Sequence, residues 1–346
     1  METLPSRQRV FPQFLSIDWN FPVKDEYSDM KWLGEGSNAI IVSLIVRRLE
    51  SVIPGPLVLR IPKPLHAQNV VETLCRDVET CVLDIPNVSR TEFVIQIHHN
   101  HLRYIIDHVE GCPRKPKEIK LQSMVNQFKE HVPESCKYYC LSLSRRWPCS
   151  LFAFLEDCKR DSSRGSKSLD IPSVCKVLED VCTALSAMHT HPRKRVVHMD
   201  IHTGNILVEH RRRTDPRDPG RGLRSFICDA CVTDFDMLCE VNRAMPSGRN
   251  HRWDQWRALE RNVTDMYTAT PAADVHALCY CLGEMLRTLE IVDPGVVATT
   301  NGTERRADCN AFSVLMRLHE TGMQMPSLIN AEIIKAVAQK MLLQST

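Results

Sequence analysis

The chain has 346 residues, room for two domains or one two-lobed unit with a sizeable core. With 43% hydrophobic and 25% charged residues, its composition is that of a globular protein and excludes a disordered one. Its 44 basic and 42 acidic residues leave a formal charge of +2, a balance that gives no case for nucleic acid or a membrane surface as partner.

The opening stretch, METLPSRQRVFPQF, is broken by polar residues and prolines and does not read as a signal peptide. No apolar run approaches the ~18 residues of a membrane helix, so the expectation is an intracellular protein, cytoplasmic or nuclear. Residues 1–27 read as an N-terminal extension. From Lys31 to Arg47 an apolar segment, two glycines and a β-branched run predict strand, turn, strand. Ile53-Pro54-Gly55-Pro56 is a turn, followed by a strand over Leu57–Ile61. A short helix is expected within Asn69–Leu83 and a strand over Glu92–Ile97, whereas residues 100–137, poorly patterned and rich in Lys, Pro and His, read as an insertion.

The second half is helical. Val174, Leu178, Val181, Cys182, Leu185 and Met188 recur at three-to-four spacing within Leu169–His189, with Asp170 and Pro172 as start signals. Val196-Val197 and Ile206-Leu207-Val208 are apolar runs flanking a polar loop. Residues 209–225 (EHRRRTDPRDPGRGLRS) read as a basic, solvated loop insertion. Thr270 and Pro271 cap and open a helix running through Leu286. Fifteen cysteines, odd in number and scattered from Cys75 to Cys309, do not make a disulfide scaffold. The CxxC at Cys228–Cys231 has no second pair to close a zinc site, so the thiols read as small buried hydrophobes. Strands first and helices second predict two lobes with a cleft between them.

The chemistry concentrates at Val196-Val197-His198-Met199-Asp200-Ile201-His202-Thr203-Gly204-Asn205, and again at Val232-Thr233-Asp234-Phe235-Asp236. These segments resemble the HxDxxxxN catalytic loop and the DFG metal motif of the protein-kinase-like superfamily. Leu33-Gly34-Glu35-Gly36-Ser37-Asn38-Ala39-Ile40-Ile41 resembles its glycine-rich loop, with Ala39 in place of the third glycine. On the strand where the family carries its phosphate-binding lysine, Arg60 and Lys63 compete; alternation puts Val58 and Arg60 on one face, which favours Arg60. Glu79 is preferred to Glu72 as its helical partner. Trp256-Arg257-Ala258-Leu259-Glu260 resembles the segment closing the activation loop, and Asp274–Leu286 the buried helix that follows.

The resemblance implies a bilobal α+β protein-kinase-like fold, with a small antiparallel-sheet N-lobe over 28–144 and a mainly helical C-lobe over 145–346. It implies a divergent serine/threonine-protein kinase, a transferase using ATP and Mg²⁺ on a protein substrate. Asp200 would accept the proton of the attacking hydroxyl, with His202 beside the γ-phosphate, and Asn205 and Asp234 would ligate Mg²⁺ through hard oxygens. Gly34, Glu35, Gly36, Ser37, Ile41, Val58, Arg60 and Glu79 would hold the nucleotide, and Asp274 would brace the catalytic-loop backbone. Met199 replaces the usual arginine, which removes the reader of a phosphorylated activation loop. His202 and Asp236, together with Arg60, also resemble small-molecule phosphotransferases of the same superfamily. Arg60, Ala39 and Met199 leave a pseudokinase scaffold as a further alternative.

Overall fold

The computed structural model describes residues 13–16, 26–35, 39–51, 53–62, 75, 79–80, 83–111, 138–160, 169–214, 219–221, 223–246 and 266–288. Their architecture is mixed α/β, with antiparallel sheets and helices. The described residues of Met1–Asp84 and Ser89–Arg146 form one compact unit, and those of Ile85–Val88 and Trp147–Thr346 form a second. No described helix is long and apolar enough to cross a membrane.

Unit one is built on a six-stranded sheet. Its strands are β1 (Gln13–Ser16), β2 (Tyr27–Glu35), β3 (Ala39–Val46), β4 (Leu57–Pro62), β5 (Thr91–His98) and β6 (Tyr138–Arg145), in the order β1-β5-β6-β4-β3-β2. All neighbours are antiparallel except β1, which runs parallel to β5 at the edge. Gln13–Ser16 and Tyr27 of the expected N-terminal extension therefore belong to the sheet; a strand as short as β1 carries no readable period of its own. Strand alternation sets the core: Leu57, Leu59 and Ile61 of β4 and Phe93, Ile95 and Ile97 of β5 are buried, and their neighbours along each strand are less so.

The stretch expected as a structureless insertion begins with helix α1 (His99–His108). His98 caps it by accepting from the Asn100 N–H at 3.1 Å. Leu102, Ile105 and Ile106 bury one face into the unit-one core, while histidines and polar residues fill the rest. Only four apolar positions in ten residues, Leu102, Tyr104, Ile105 and Ile106, made that period invisible among the flanking His, Lys and Pro. Residues 112–137 lie outside those described.

Unit two carries helices α2 (Leu151–Arg160), α3 (Ile171–Thr190) and α4 (Pro271–Thr288). Asp170 caps α3 as its sequence signals predict, its carboxylate accepting from the Ser173 N–H at 2.9 Å with Pro172 in the first turn. Val177, Val181, Ala184 and Met188 of α3 and Ala277, Cys281, Leu282 and Met285 of α4 supply core. A three-stranded sheet places β9 (Ile206–Thr214) between β10 (Leu223–Val232) and the two-residue β7 (Cys149–Ser150). Two smaller ladders pair β8 (Val196–Val197) with β11 (Cys239–Glu240), and β12 (Ala244–Pro246) with β13 (Met266–Thr268).

Residues 209–225 are not a loop insertion through most of their length. Residues 209–214 and 223–225 belong to the distal half of the β9–β10 hairpin, which pairs Ile206 with Val232 and Thr214 with Leu223, with a register shift between Ile227 and Asp229. Phe226 and Ile227 lie across from Arg211 and His210, so the apolar partners of the basic strand come from the far side of the hairpin. A charge run read alone does not show that. Among the described cysteines Cys231, Cys239 and Cys281 are buried as core residues, and none of those described is in a disulfide.

Candidate functional site

The polar loop is held between two short strands, β8 ending at Val197 and β9 starting at Ile206, with a single 3-10 turn over Thr203–Asn205. Its backbone hangs on Asp274, a carboxylate with no exposed surface in the first turn of α4. The His198 N–H donates to Asp274 Oδ2 at 2.8 Å and the Met199 N–H to Oδ1 at 2.8 Å. His189 Nε2, at the end of α3, donates to Oδ2 at 2.8 Å. The brace assigned to Asp274 is thus a direct backbone contact. It fixes a strained turn, because Met199 has φ 66°, in the left-handed region a side chain disfavours.

Beyond that turn the chain presents Asp200, whose side chain is 31% exposed. The Asp200 N–H donates to His198 Nδ1 at 3.2 Å, which leaves the imidazole proton on Nε2, donating to the Thr233 carbonyl at 3.0 Å. His198 is wholly buried, its ring 5.4 Å from that of Phe235 and edge-on to it. One histidine therefore fastens the Asp200 loop to the Thr233–Asp236 segment. The Thr233 N–H closes the same link by donating to the Asn205 carbonyl at 3.0 Å.

Asn205 Nδ2 donates to the Asp200 backbone oxygen at 2.9 Å and to Asp200 Oδ2 at 3.1 Å. His202 accepts from the Gly204 N–H on Nδ1 at 3.0 Å, so its proton lies on Nε2, 3.8 Å from Asp200 Oδ2. Burial pushes the Asp200 carboxyl above its ordinary range, and the charge of Asp234 adds to that, against the pull of His202 and Asn205. Asp234 is itself in the left-handed region at φ 65°, followed by buried Phe235 and buried Asp236. Unit two thus brings Asp200, His202, Asn205 and Asp234 together.

With both amide protons of Asn205 turned to Asp200, its Oδ1 is the atom left to a cation, and Asp234 adds a carboxylate. Among the described residues no group of three or more His, Cys, Asp or Glu side chains forms a metal cage. Magnesium does not require one, since it keeps waters and takes one or two protein oxygens beside substrate phosphates. The Asn205 and Asp234 oxygens fit that donor set.

The residues expected to hold a nucleotide lie in unit one. Gly34 of β2 sits opposite Ile41 of β3, and Ile41 opposite Arg60 of β4, so the three form one cross-strand row. Val58 and Arg60 share a face, half-buried, opposite the core face of Leu57, Leu59 and Ile61. Glu35 ends β2, and Glu79 lies in a helical turn whose carbonyl accepts from the Leu83 N–H at 2.9 Å. Gly36, Ser37, Lys63, Glu72 and the Trp256–Glu260 segment lie outside the described residues.

Three supports were missed from the sequence. Thr203 Oγ1 donates to Glu284 Oε2 at 2.7 Å, a second tie from α4 to the loop. His189 joins the Asp274 carboxylate. Asp180, a buried acid inside the apolar stripe of α3, accepts from the Ala230 N–H at 2.9 Å and from Asn87 Nδ2 at 3.1 Å, with Lys176 at 2.9 Å. A carboxylate between Val177 and Val181 was the available signal, since such acids stay buried only with donors to satisfy them. Compared with known proteins, the chain matches no family model and no curated sequence.

Proposed function

We propose that this chain is an ATP- and Mg²⁺-dependent protein kinase of bilobal fold that transfers a γ-phosphate to serine or threonine hydroxyls. The observation that carries the reading is the coupling of two motifs distant in sequence. Asp274 seats the His198 and Met199 amides, Asn205 holds Asp200, and His198 with Asn205 fastens that loop to Thr233 beside Asp234. Phosphoryl transfer asks for positioning and charge stabilisation more than for covalent chemistry, and a pre-set carboxylate beside hard-oxygen ligands meets that need.

In this reading Asp200 orients the substrate hydroxyl and accepts its proton as the oxygen bonds to the γ-phosphorus and the bond to the β-phosphate oxygen breaks, releasing ADP. Burial, which raises the affinity of Asp200 for a proton, suits a group that must take one up. Asn205 keeps the carboxylate aimed. His202, its proton on the nitrogen nearer Asp200, is a donor at the mouth of that carboxylate and not a base. Asn205 Oδ1 and Asp234 would hold Mg²⁺, which neutralises phosphate charge when bound. Arg60, on the half-buried face with Val58, would keep a positive charge for the phosphates.

A second reading, a small-molecule phosphotransferase, is favoured by His202 at 3.8 Å from Asp200 Oδ2 and by buried Asp236 beside Asp234. Transfer of label from γ-labelled Mg·ATP onto the chain itself and onto generic protein substrates, in wild type and Asp200→Asn, separates them. Protein labelling that needs Asp200 is expected. Mg²⁺-dependent ATP binding without labelled protein moves the assignment to small hydroxyl substrates, and absence of both leaves a scaffold.

A further inference from the structure

The β9–β10 hairpin is longer than the loop it supports. The loop needs Ile206–Val208 and Ala230–Val232, and β7 pairs only with Leu207 and Val208. From Glu209 outward, among the described residues, β10 is the one strand paired with β9; on the other side the Phe154 ring of α2 lies 5.7 Å from that of His210, and beyond His210 no strand lies beside β9. Along that stretch Arg211, Arg212 and Arg213 are consecutive and exposed. Successive strand residues point to opposite faces, so the three guanidinium groups line both sides of one strand.

Arg213 shows what this strand does with an anion. Its guanidinium pairs with the Asp170 carboxylate and lies 4.4 Å from the centroid of the Phe226 ring. Arg211 and Arg212 make no ion pair among the described residues, although neighbouring like charges repel. An anionic partner relieves that repulsion and gains charge-assisted hydrogen bonds.

We propose that the distal β9–β10 hairpin docks an extended acidic segment of a protein partner, laid along the β9 edge with carboxylates on Arg211 and Arg212. A strand added to an edge presents successive side chains to alternate faces, the pattern these two arginines offer. Nucleic acid fits less well, because a basic patch one strand wide on a chain of net charge +2 gives few phosphate contacts. The docking surface goes beyond the phosphotransfer reading and does not rest on it.

Fluorescence anisotropy of the full chain carrying Asp200→Asn, with a labelled peptide in which paired glutamates alternate with threonine and valine, tests the proposal apart from any transfer. Binding is expected to weaken as added salt shortens the screening length, and to fall about tenfold or more in Arg211→Glu/Arg212→Glu. Should that reversal unfold the chain, Arg211→Gln/Arg212→Gln gives the same comparison without introducing acids. A glutamine version of the peptide that binds equally well, or affinity unchanged in the arginine variants, overturns the docking site. Tighter arginine-dependent binding of a single-stranded oligonucleotide of equal charge overturns it in favour of nucleic acid.

Discussion

Removing the Asp274 carboxylate tests the central claim about how the loop is held. In Asp274→Ala the His198 and Met199 amides lose their acceptor inside a wholly buried region. Each orphaned buried N–H costs about 1–3 kcal/mol, so the two together cost about 2–6 kcal/mol. His189 is 11% exposed and can turn toward water, which adds little. Against a typical domain stability of about 5–15 kcal/mol, this is a large fraction. Asp274→Asn keeps one acceptor oxygen and sets an amide donor against a remaining N–H, so it is expected to cost about half as much. Urea unfolding of the three chains gives the free energies, and amide exchange should show His198 and Met199 both protected in wild type, one of them in Asp274→Asn and neither in Asp274→Ala. An alanine variant within about 0.5 kcal/mol of wild type, its two amides still protected, would mean that the loop holds itself and Asp274 is incidental.

Four further outcomes follow. Because burial raises the Asp200 carboxyl, the acid limb of kcat/KM should lie above the ordinary carboxylate value of about 4, with activity lost as pH falls through it. Ionised Asp200 then opposes folding: the cost is absent at low pH and appears as pH rises from the unfolded toward the folded value. Asp200→Asn should therefore be at least as stable as wild type by thermal melting at neutral pH while losing transfer. A Cβ at Gly204 would meet His202 Cε1 at 2.7 Å and Nδ1 at 2.9 Å. Since the His202 ring is partly exposed and would have to turn aside, giving up its bond from the Gly204 N–H, Gly204→Ala should lower the transfer rate more than it shifts the melting temperature, as steady-state kinetics and thermal melting would show. Cys182, its thiol pushed up to about 11 by burial, should resist iodoacetamide at pH 8 while exposed Cys75 is modified, as peptide mass mapping would reveal.

What the sequence made legible was local and periodic. Asp170 with Pro172, and Thr270 with Pro271, marked helix starts because a cap is a property of adjacent residues. Leu57–Ile61 and Glu92–Ile97 were readable as strands because one face of each is buried and the period of two survives. The cluster of Asp200, His202 and Asn205 was visible because it lies within one loop. What stayed hidden depended on a distant partner. The arginine strand is a strand because Phe226 and Ile227 lie opposite, and β1 because β5 offers an edge. Asp180 is tolerated in an apolar stripe because Asn87 and Ala230 reach it from far along the chain.

The two residues that bend the site are both conformationally costly. Met199 and Asp234 hold φ near 65°, where a side chain is disfavoured by about 1–3 kcal/mol, and glycine at either would remove the strain. Both positions sit where buried groups over-determine the backbone. Asp274 and the packing of Met199 against Val197, Cys239 and Ala269 fix the first turn. Buried Phe235, with His198 bonded to Thr233, fixes the second. A turn free to relax would let Asp200 and Asp234 move apart and lessen the repulsion that adds to the effect of burial on Asp200. Burial and strain therefore act together to hold two acids near each other, an arrangement that is unfavourable in the chain alone and that a cation bound there would offset.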